Sequence, residues 1–298
     1  MHARSGVRRA LLLAVLAAAN LALPMRAAAQ DIQVEAVQYP AWLDRGGHSV
    51  PLTPGTALRA ADTLRTGANA RVQLKLAEGS TVKLGENARF TIERVENRGV
   101  FRSALNVLYG AFRFTTGALG ANRKRELDIR VRTITAGIRG TDLWGKSTDA
   151  RDLVCLLEGR VSARAEGGEA VTLDKPLDFY QRARDGGPQL GRVDEKQVQE
   201  WAKETEIAPG AGAARQGGRW TVIVSKYYER NRALAVSREL RARGYPAEVR
   251  ADKGEKEQVQ RVEVRGLADE AAARAVMASV RDMPGVTIPS IAEDAARR

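Results

Sequence analysis

One cysteine and two histidines are all that the 298 residues offer of the side chains that most often ligate metals or pair as nucleophile and base. A single thiol, Cys155, excludes an intramolecular disulfide. With so few imidazoles it also excludes a thiolate zinc site, a histidine-centred metal cluster and a histidine-based triad. Cys155 lies in Leu153-Val-Cys-Leu-Leu157, where alternation puts it on one face with Leu153 and Leu157 and marks it as a core thiol rather than a reactive one.

Long apolar runs are also lacking. The nearest, Ala10 to Ala19, is interrupted by Asn20, Pro24 and Arg26, well short of the roughly 20 residues a membrane span needs. Preceded by Arg4, Arg8 and Arg9 and followed by Ala27-Ala-Ala29, it has the charged start, short apolar stretch and small-residue cleavage site of a signal peptide. Residues 1–29 are therefore expected to be removed on export by the general secretory route, leaving a periplasmic protein with no transmembrane segment. Their removal takes away four arginines (Arg4, Arg8, Arg9 and Arg26) and lowers the formal charge from +12 to +8. A basic exported protein meets anionic envelope partners; nucleic acid is not expected.

Sites of catalysis are missing in the same way. Asp149 with Asp152 and Glu166 with Glu169 are carboxylate pairs, but in turn-like, charged stretches, and no nucleophile elbow is present. Gly210 and Gly212 follow no strand and open no helix, so they form no phosphate loop. No enzyme activity, cofactor or metal is expected.

What is present is β-structure, then a change of pattern. From residue 30 to about 190, short alternating segments recur near every ten residues, as in an all-β sandwich. Arg71 to Leu76 and Thr81 to Leu84 read as a hairpin turned at Glu78-Gly79, with Val72, Leu74, Leu76, Val82 and Leu84 inward. Further strands are expected at residues 89–95, 106–114, 127–135, 153–157, 160–165 and 170–173. Asp194 to Ile207 reads as a short charged helix that docks through Val198 and Trp201. Pro209 to Gly218, rich in glycine, reads as a flexible tether, so that residues 191–218 form a linker. Residues 219–291 then alternate strand, helix, strand, strand, helix, strand. The first helix ends at Gly244, the second is capped by Asp269 and carries Ala272, Val276 and Val280 on one stripe, and a last short strand covers Val286 to Ile288. Residues 292–298 are a tail. The fold class is multidomain: a sandwich-like all-β part followed by an α+β, ferredoxin-like βαββαβ part with one sheet face open.

Two resemblances attach to these segments. Leu64-Arg-Thr-Gly-Ala-Asn-Ala-Arg-Val72, Leu76 to Leu84, Thr133-Ile-Thr-Ala-Gly-Ile-Arg-Gly-Thr-Asp-Leu143 and Leu157-Glu-Gly-Arg-Val161 resemble the FecR-type periplasmic domain over about residues 50–175. Its core motif here is Gly137, Arg139, Gly140, Thr141 and Asp142. The two glycines relax the backbone and Arg139 is placed to pair with Asp142 across the turn. The best-known members are membrane-spanning regulators of sigma factors. Without a cytoplasmic segment or retained span, this chain is expected to exert no direct sigma-factor control.

Trp220, Val222, Val224, Tyr227, Ala233, Leu240, Gly244-Tyr-Pro-Ala247 and Arg261-Val-Glu-Val264 resemble the SPOR domain over about residues 219–291. That resemblance implies binding to peptidoglycan glycan strands stripped of their stem peptides, often at division septa. The open sheet face would present Thr221, Ile223, Ser225, Arg250, Glu263 and Arg265, a polar set with no base-stacking aromatics, which argues against RNA. Tyr228 joins them as a candidate sugar platform; whether it or Tyr227 stacks on a ring or closes the core stays open. Two functions follow: a peptidoglycan-binding envelope protein with the β-domain as scaffold, or an envelope sensor whose β-domain binds a protein or small ligand.

Overall fold

The computed structural model describes residues 32–98, 100–117, 125–252 and 258–294; the expected signal peptide lies outside them. The chain begins with β1 (Ile32–Gln38), β2 (Ala41–Arg45), β3 (His48–Pro51), β4 (Ala57–Leu58) and β5 (Thr63–Thr66). Two hairpins follow, β6 (Arg71–Leu76) with β7 (Thr81–Leu84) and β8 (Arg89–Arg98) with β9 (Val100–Thr115). Next come β10 (Arg125–Val131), β11 (Ile134–Ile138), β12 (Asp142–Ser147), β13 (Arg151–Glu158), β14 (Val161–Ala165), β15 (Ala170–Leu173), β16 (Asp178–Ala183) and β17 (Pro188–Arg192). Helix α1 (Glu195–Lys203) and β18 (Ala213–Arg215) lead to β19 (Trp220–Tyr227), α2 (Arg230–Ala242), β20 (Glu248–Ala251), β21 (Gln260–Leu267), α3 (Glu270–Val280) and β22 (Ser290–Glu293).

The strands up to β17 make two sheets. One runs β17-β16-β13-β12-β9-β7-β6-β1, the other β3-β2-β5-β8-β9-β10-β11-β14-β15. This part is all-β, as its alternation predicts. β9 belongs to both sheets: Val100 to Tyr109 pair in the second, Gly110 to Thr115 in the first. The switch falls at Gly110, whose φ of +90° and closeness to Ala88, 2.6 Å from where a Cβ would stand, admit only glycine. Between the sheets Leu74, Leu84, Phe90, Leu105, Phe112, Phe114 and Ile129 are fully buried, each contributing on the order of 1.5–3 kcal/mol through apolar burial.

The expected strand 127–135 is instead two strands. β10 ends at Val131 and β11 returns antiparallel from Ile134, with Arg132 at a φ of +48°. The chain turns without glycine or asparagine because Asp152 receives both the amide and the hydroxyl of Thr133, at 3.1 and 2.6 Å. Asp152 is not a surface turn residue either: it lies in β13 with no exposed area.

The C-terminal strands form the order β22-β19-β21-β20, every neighbour antiparallel. Val222, Val224, Val262 and Val264 meet the buried stripes of α2 (Ala233, Val236, Leu240) and α3 (Ala272, Ala273, Val276, Val280). Asp269 caps α3 by accepting from the Ala272 amide, and Gly244 ends α2 at a φ of +84°. The last strand is β22, not Val286 to Ile288. Thr287 donates its amide to the Ser225 hydroxyl and Ile288 is 85% exposed, so that stretch crosses the sheet end before Pro289.

Within the expected flexible tether, residues 213–215 form a strand. β18 pairs with β1 on one side, Val37 opposite Ala214, and with β21 on the other, Ala214 opposite Leu267. Ala213 and Ala214 are buried. The first sheet therefore continues β1-β18-β21-β19-β22, and one apolar cluster runs from Ile32 to Val280. Beside it the Trp42 indole donates to the carbonyl of Ala242 at 3.1 Å and packs on Gly244, where a Cβ would stand 2.8 Å from the ring. Tyr39 and Tyr245 meet at 6.0 Å between ring centres.

Candidate functional site

The turn joining β11 to β12 carries the motif Gly137 to Asp142. Gly140 takes a φ of +67°, while Gly137 sits in extended strand and needs no special conformation. Thr141 is buried and is the centre of the turn: its hydroxyl donates to the Arg160 carbonyl at 2.8 Å and its amide donates to the Thr116 hydroxyl at 2.8 Å. Gly159 lies so close that a Cβ there would be 2.0 Å from the Gly140 carbonyl oxygen. Arg139 does not pair with Asp142. It is exposed, whereas Asp142 takes a two-pronged contact from Arg113, at 2.7 and 3.0 Å, and a hydroxyl from Thr115. The register of the neighbouring strands puts Thr115 opposite Asp142 and Arg113 opposite Trp144, two residues along the same face, and a bidentate guanidinium reaching over that diagonal fits a carboxylate better than a cross-turn reach.

The same arginine reaches a covering segment. Arg113 approaches Glu206 at 3.3 Å, Lys83 binds Glu206 at 2.6 Å and Lys146 binds Glu204 at 2.7 Å. α1 lies on this face through Trp201, stacked on Trp144 at 4.5 Å with rings 5° apart. Beneath it Ala111, Trp144, Leu153 and Cys155 form a second apolar cluster joined by Leu157 and Val198. The docking of Val198 and Trp201 is as the amphipathic pattern predicts. Burial, aided by Asp178, pushes the Cys155 thiol up to about 12, so it stays protonated and unreactive.

The candidate sheet-face residues are split. Thr221, Ile223, Ser225 and Glu263 are buried, not open to a ligand. Thr221 donates to Asp294 at 2.9 Å, and Glu263 is held between Arg261 and Arg265 at 2.9 and 3.3 Å. Ser225 is turned to the Gly285 carbonyl by a register shift in β19 between Ile223 and Ser225. Tyr227 is buried and Tyr228 is 70% exposed.

Arg250 and Arg265, by contrast, line a cleft of about 560 Å³ together with residues from the opposite end of the chain. Tyr39, Thr53 and Pro54 form its β-domain wall, Arg215 to Arg219 its floor, and Pro246, Glu248, Arg250, Arg265 and Asp294 the other wall. Two carboxylates are already engaged, Glu248 with Arg250 at 3.4 Å and Asp294 with Arg265. Sequence reading missed Tyr39, Arg215 and Arg219. The one available signal was the pair of arginines bracketing the glycines in Arg215-Gln-Gly-Gly-Arg219. Among the described residues no group of three or more His, Cys, Asp or Glu is placed to hold a metal, and no helix is long and apolar enough to cross a membrane.

In sequence, residues 62–162 match the family model described as FecR protein, a span from the residue before β5 to the start of β14. The match ends there, so the SPOR resemblance over residues 219–291 rests on its motif residues alone. No curated protein matches the chain. Two crystal structures of a protein from Parabacteroides distasonis ATCC 8503, provisionally described as an anti-sigma factor, are similar at 14% identity and a TM-score of 0.40. One alignment covers 75% of this chain and 91% of that protein, the other 78% and 99%. That likeness is too slight to define a fold or a role.

Proposed function

We propose that the chain is a non-enzymatic, exported protein of the cell envelope that works in signal transduction, with its FecR-type β-domain receiving a protein partner. The observation that carries this reading is the FecR match over residues 62–162. The motif turn supports it: it is locked from beneath by Thr141 and Gly159 while Arg139 stands exposed at its tip, a rigid, accessible feature of the kind that recognises protein surfaces. The strand order β22-β19-β21-β20 supports a ferredoxin-like reading of the C-terminal part. Its pairing through β18 favours a built-in extension of the β-domain over a mobile wall anchor.

The competing reading, binding of denuded peptidoglycan glycan, has no family match behind it and calls for exposure that Thr221, Ile223, Ser225 and Glu263 lack. The test pairs two measurements. Deleting the gene is expected to change a defined set of transcripts, restored by the parent chain, and a photo-crosslinker at Arg139 is expected to capture one envelope protein. Unchanged transcripts, together with purified chain that sediments with amidase-stripped sacculi at physiological salt, would replace the sensor with the glycan binder.

A further inference from the structure

Strand β3 ends the second sheet and α2 runs beside it, leaving a groove of about 510 Å³ between them. Trp42, Ser49, Val50, Arg65, Arg238 and Arg241 line it, and every ionisable side chain of that lining is an arginine. Arg65 is already matched: it binds Asp44 at 2.7 Å, donates to the Ser49 hydroxyl at 2.9 Å and stacks over the Trp42 ring at 4.9 Å. It fixes the indole rather than offering charge. Arg238 and Arg241 differ. Three residues apart on α2, they share one helix face, and neither has a carboxylate within 4 Å among the described residues. The single carboxylate within α2, Glu239, is held by Arg243 at 2.8 Å. Two guanidiniums therefore stand on the wall of the groove without counter-charge.

A second observation is independent of the charges. Val50, an exposed apolar side chain, lies in the same groove at 40% exposure. Beside it the half-buried Trp42 indole is held in place by its bond to the Ala242 carbonyl at 3.1 Å. An apolar floor with a cationic wall complements a segment that carries both apolar and acidic side chains. The ends of this chain do not supply one, because residues 1–30 and 295–298 contain neither Asp nor Glu. A second copy is as basic as the first, at a formal +12, and charge of one sign opposes self-association. A recess also suits a segment that enters it better than a flat lipid surface.

The geometry points to this groove as the docking site for an acidic, leucine- or valine-bearing segment of another protein, its carboxylates on Arg238 and Arg241 and its apolar side chains against Trp42 and Val50. None of the lining residues belongs to the motif turn, so the groove is a separate contact surface and does not depend on the sensor reading. A chain that docks the segment but changes no transcript would keep the groove and lose the sensor.

The test is fluorescence anisotropy of the full chain, at physiological salt, with a labelled peptide of glutamate and interspersed leucine and with the same peptide carrying glutamine for glutamate. Co-sedimentation with phosphatidylglycerol vesicles runs beside it. Saturable binding of the glutamate peptide is expected, at least tenfold tighter than that of the glutamine peptide. Arg238→Ala and Arg241→Gln should each weaken it about threefold. Val50→Asp, which sets a carboxylate on the apolar floor, should weaken it about tenfold. Arg230→Ala, on the same helix but outside the groove, should leave it unchanged. Equal binding of the two peptides, or an equal loss with Arg230→Ala, overturns the groove as the site, and binding to the vesicles but to neither peptide replaces the protein segment with an anionic membrane.

Discussion

Individual residues hold this fold where backbone or charge is under constraint, and the consequences are measurable. Gly159 has a φ of +89° and no room for a side chain beside Gly140. Gly159→Ala is therefore expected to cost about 2 kcal/mol or more, seen as a lower denaturant midpoint. Asp152 is a second such point. Its burial alone would raise its pKa, but Arg184, Thr133 and Ser147 outweigh that and hold the carboxyl below the usual range. A carboxylate that gives up its proton more easily folded than unfolded stabilises the fold above its unfolded pKa, near 3.9. That contribution is lost as pH falls through the lower folded value, so acid unfolding in the window below about pH 4 should depend on Asp152. Asp152→Asn should cost about 3–5 kcal/mol at neutral pH, by leaving Arg184 without its partner, and should flatten that acid limb. A parallel pH slope for parent and variant would remove the carboxylate from the account.

Among the elements, α1 is the one whose attachment is most exposed to test. Its hold is the Trp144–Trp201 stack with the flanking Lys146–Glu204 and Lys83–Glu206 pairs. Surface pairs of this kind contribute little singly, so the indole carries most of the attachment. Trp201→Ala should lower stability by about 1–2 kcal/mol and make Cys155, inert in the parent, reactive to a thiol reagent at mildly alkaline pH. A thiol that stays inert in the variant would mean α1 does not guard it.

The elements also explain what the sequence makes legible. β6 and β7 are plain in it because Val72, Leu74, Leu76, Val82 and Leu84 alternate and every one faces the core. α3 announces itself through Asp269 and its apolar stripe. β18 cannot be read this way: Ala213-Ala-Arg215 has no alternation, and its partners β1 and β21 are remote in sequence. The turn at Arg132 is invisible for the same reason, being set by the distant Asp152. In the cleft, Arg250 and Arg265 were legible from strand phase, but Tyr39 was not, because only the fold brings it there. The sheet-face residues were misjudged where a bulge shifts phase at Ser225 and where ionic neighbours close over Glu263.

At the scale of the whole molecule, the sheet does not stop where the glycine-rich stretch begins. Trp42, Gly244 and the Tyr39–Tyr245 contact pin the C-terminal part beside β1, and β18 stitches the two together. Gly244→Ala, which drives a Cβ into Trp42 and Pro40 at a φ of +84°, is expected to loosen this junction and enlarge the radius of gyration in solution scattering; an unchanged radius would place the hold elsewhere. A β-domain with a fixed extension can pass an event at one end to the other, which a free tether would not. The most direct measurement is hydrogen exchange, read by mass spectrometry, over residues 209–219 of the full chain. The paired β18 predicts that amides of residues 213–215 within that window exchange as slowly as those of β1 and β21, whereas exchange of those three at the rate of an unstructured chain would contradict the continuous sheet and restore the flexible tether.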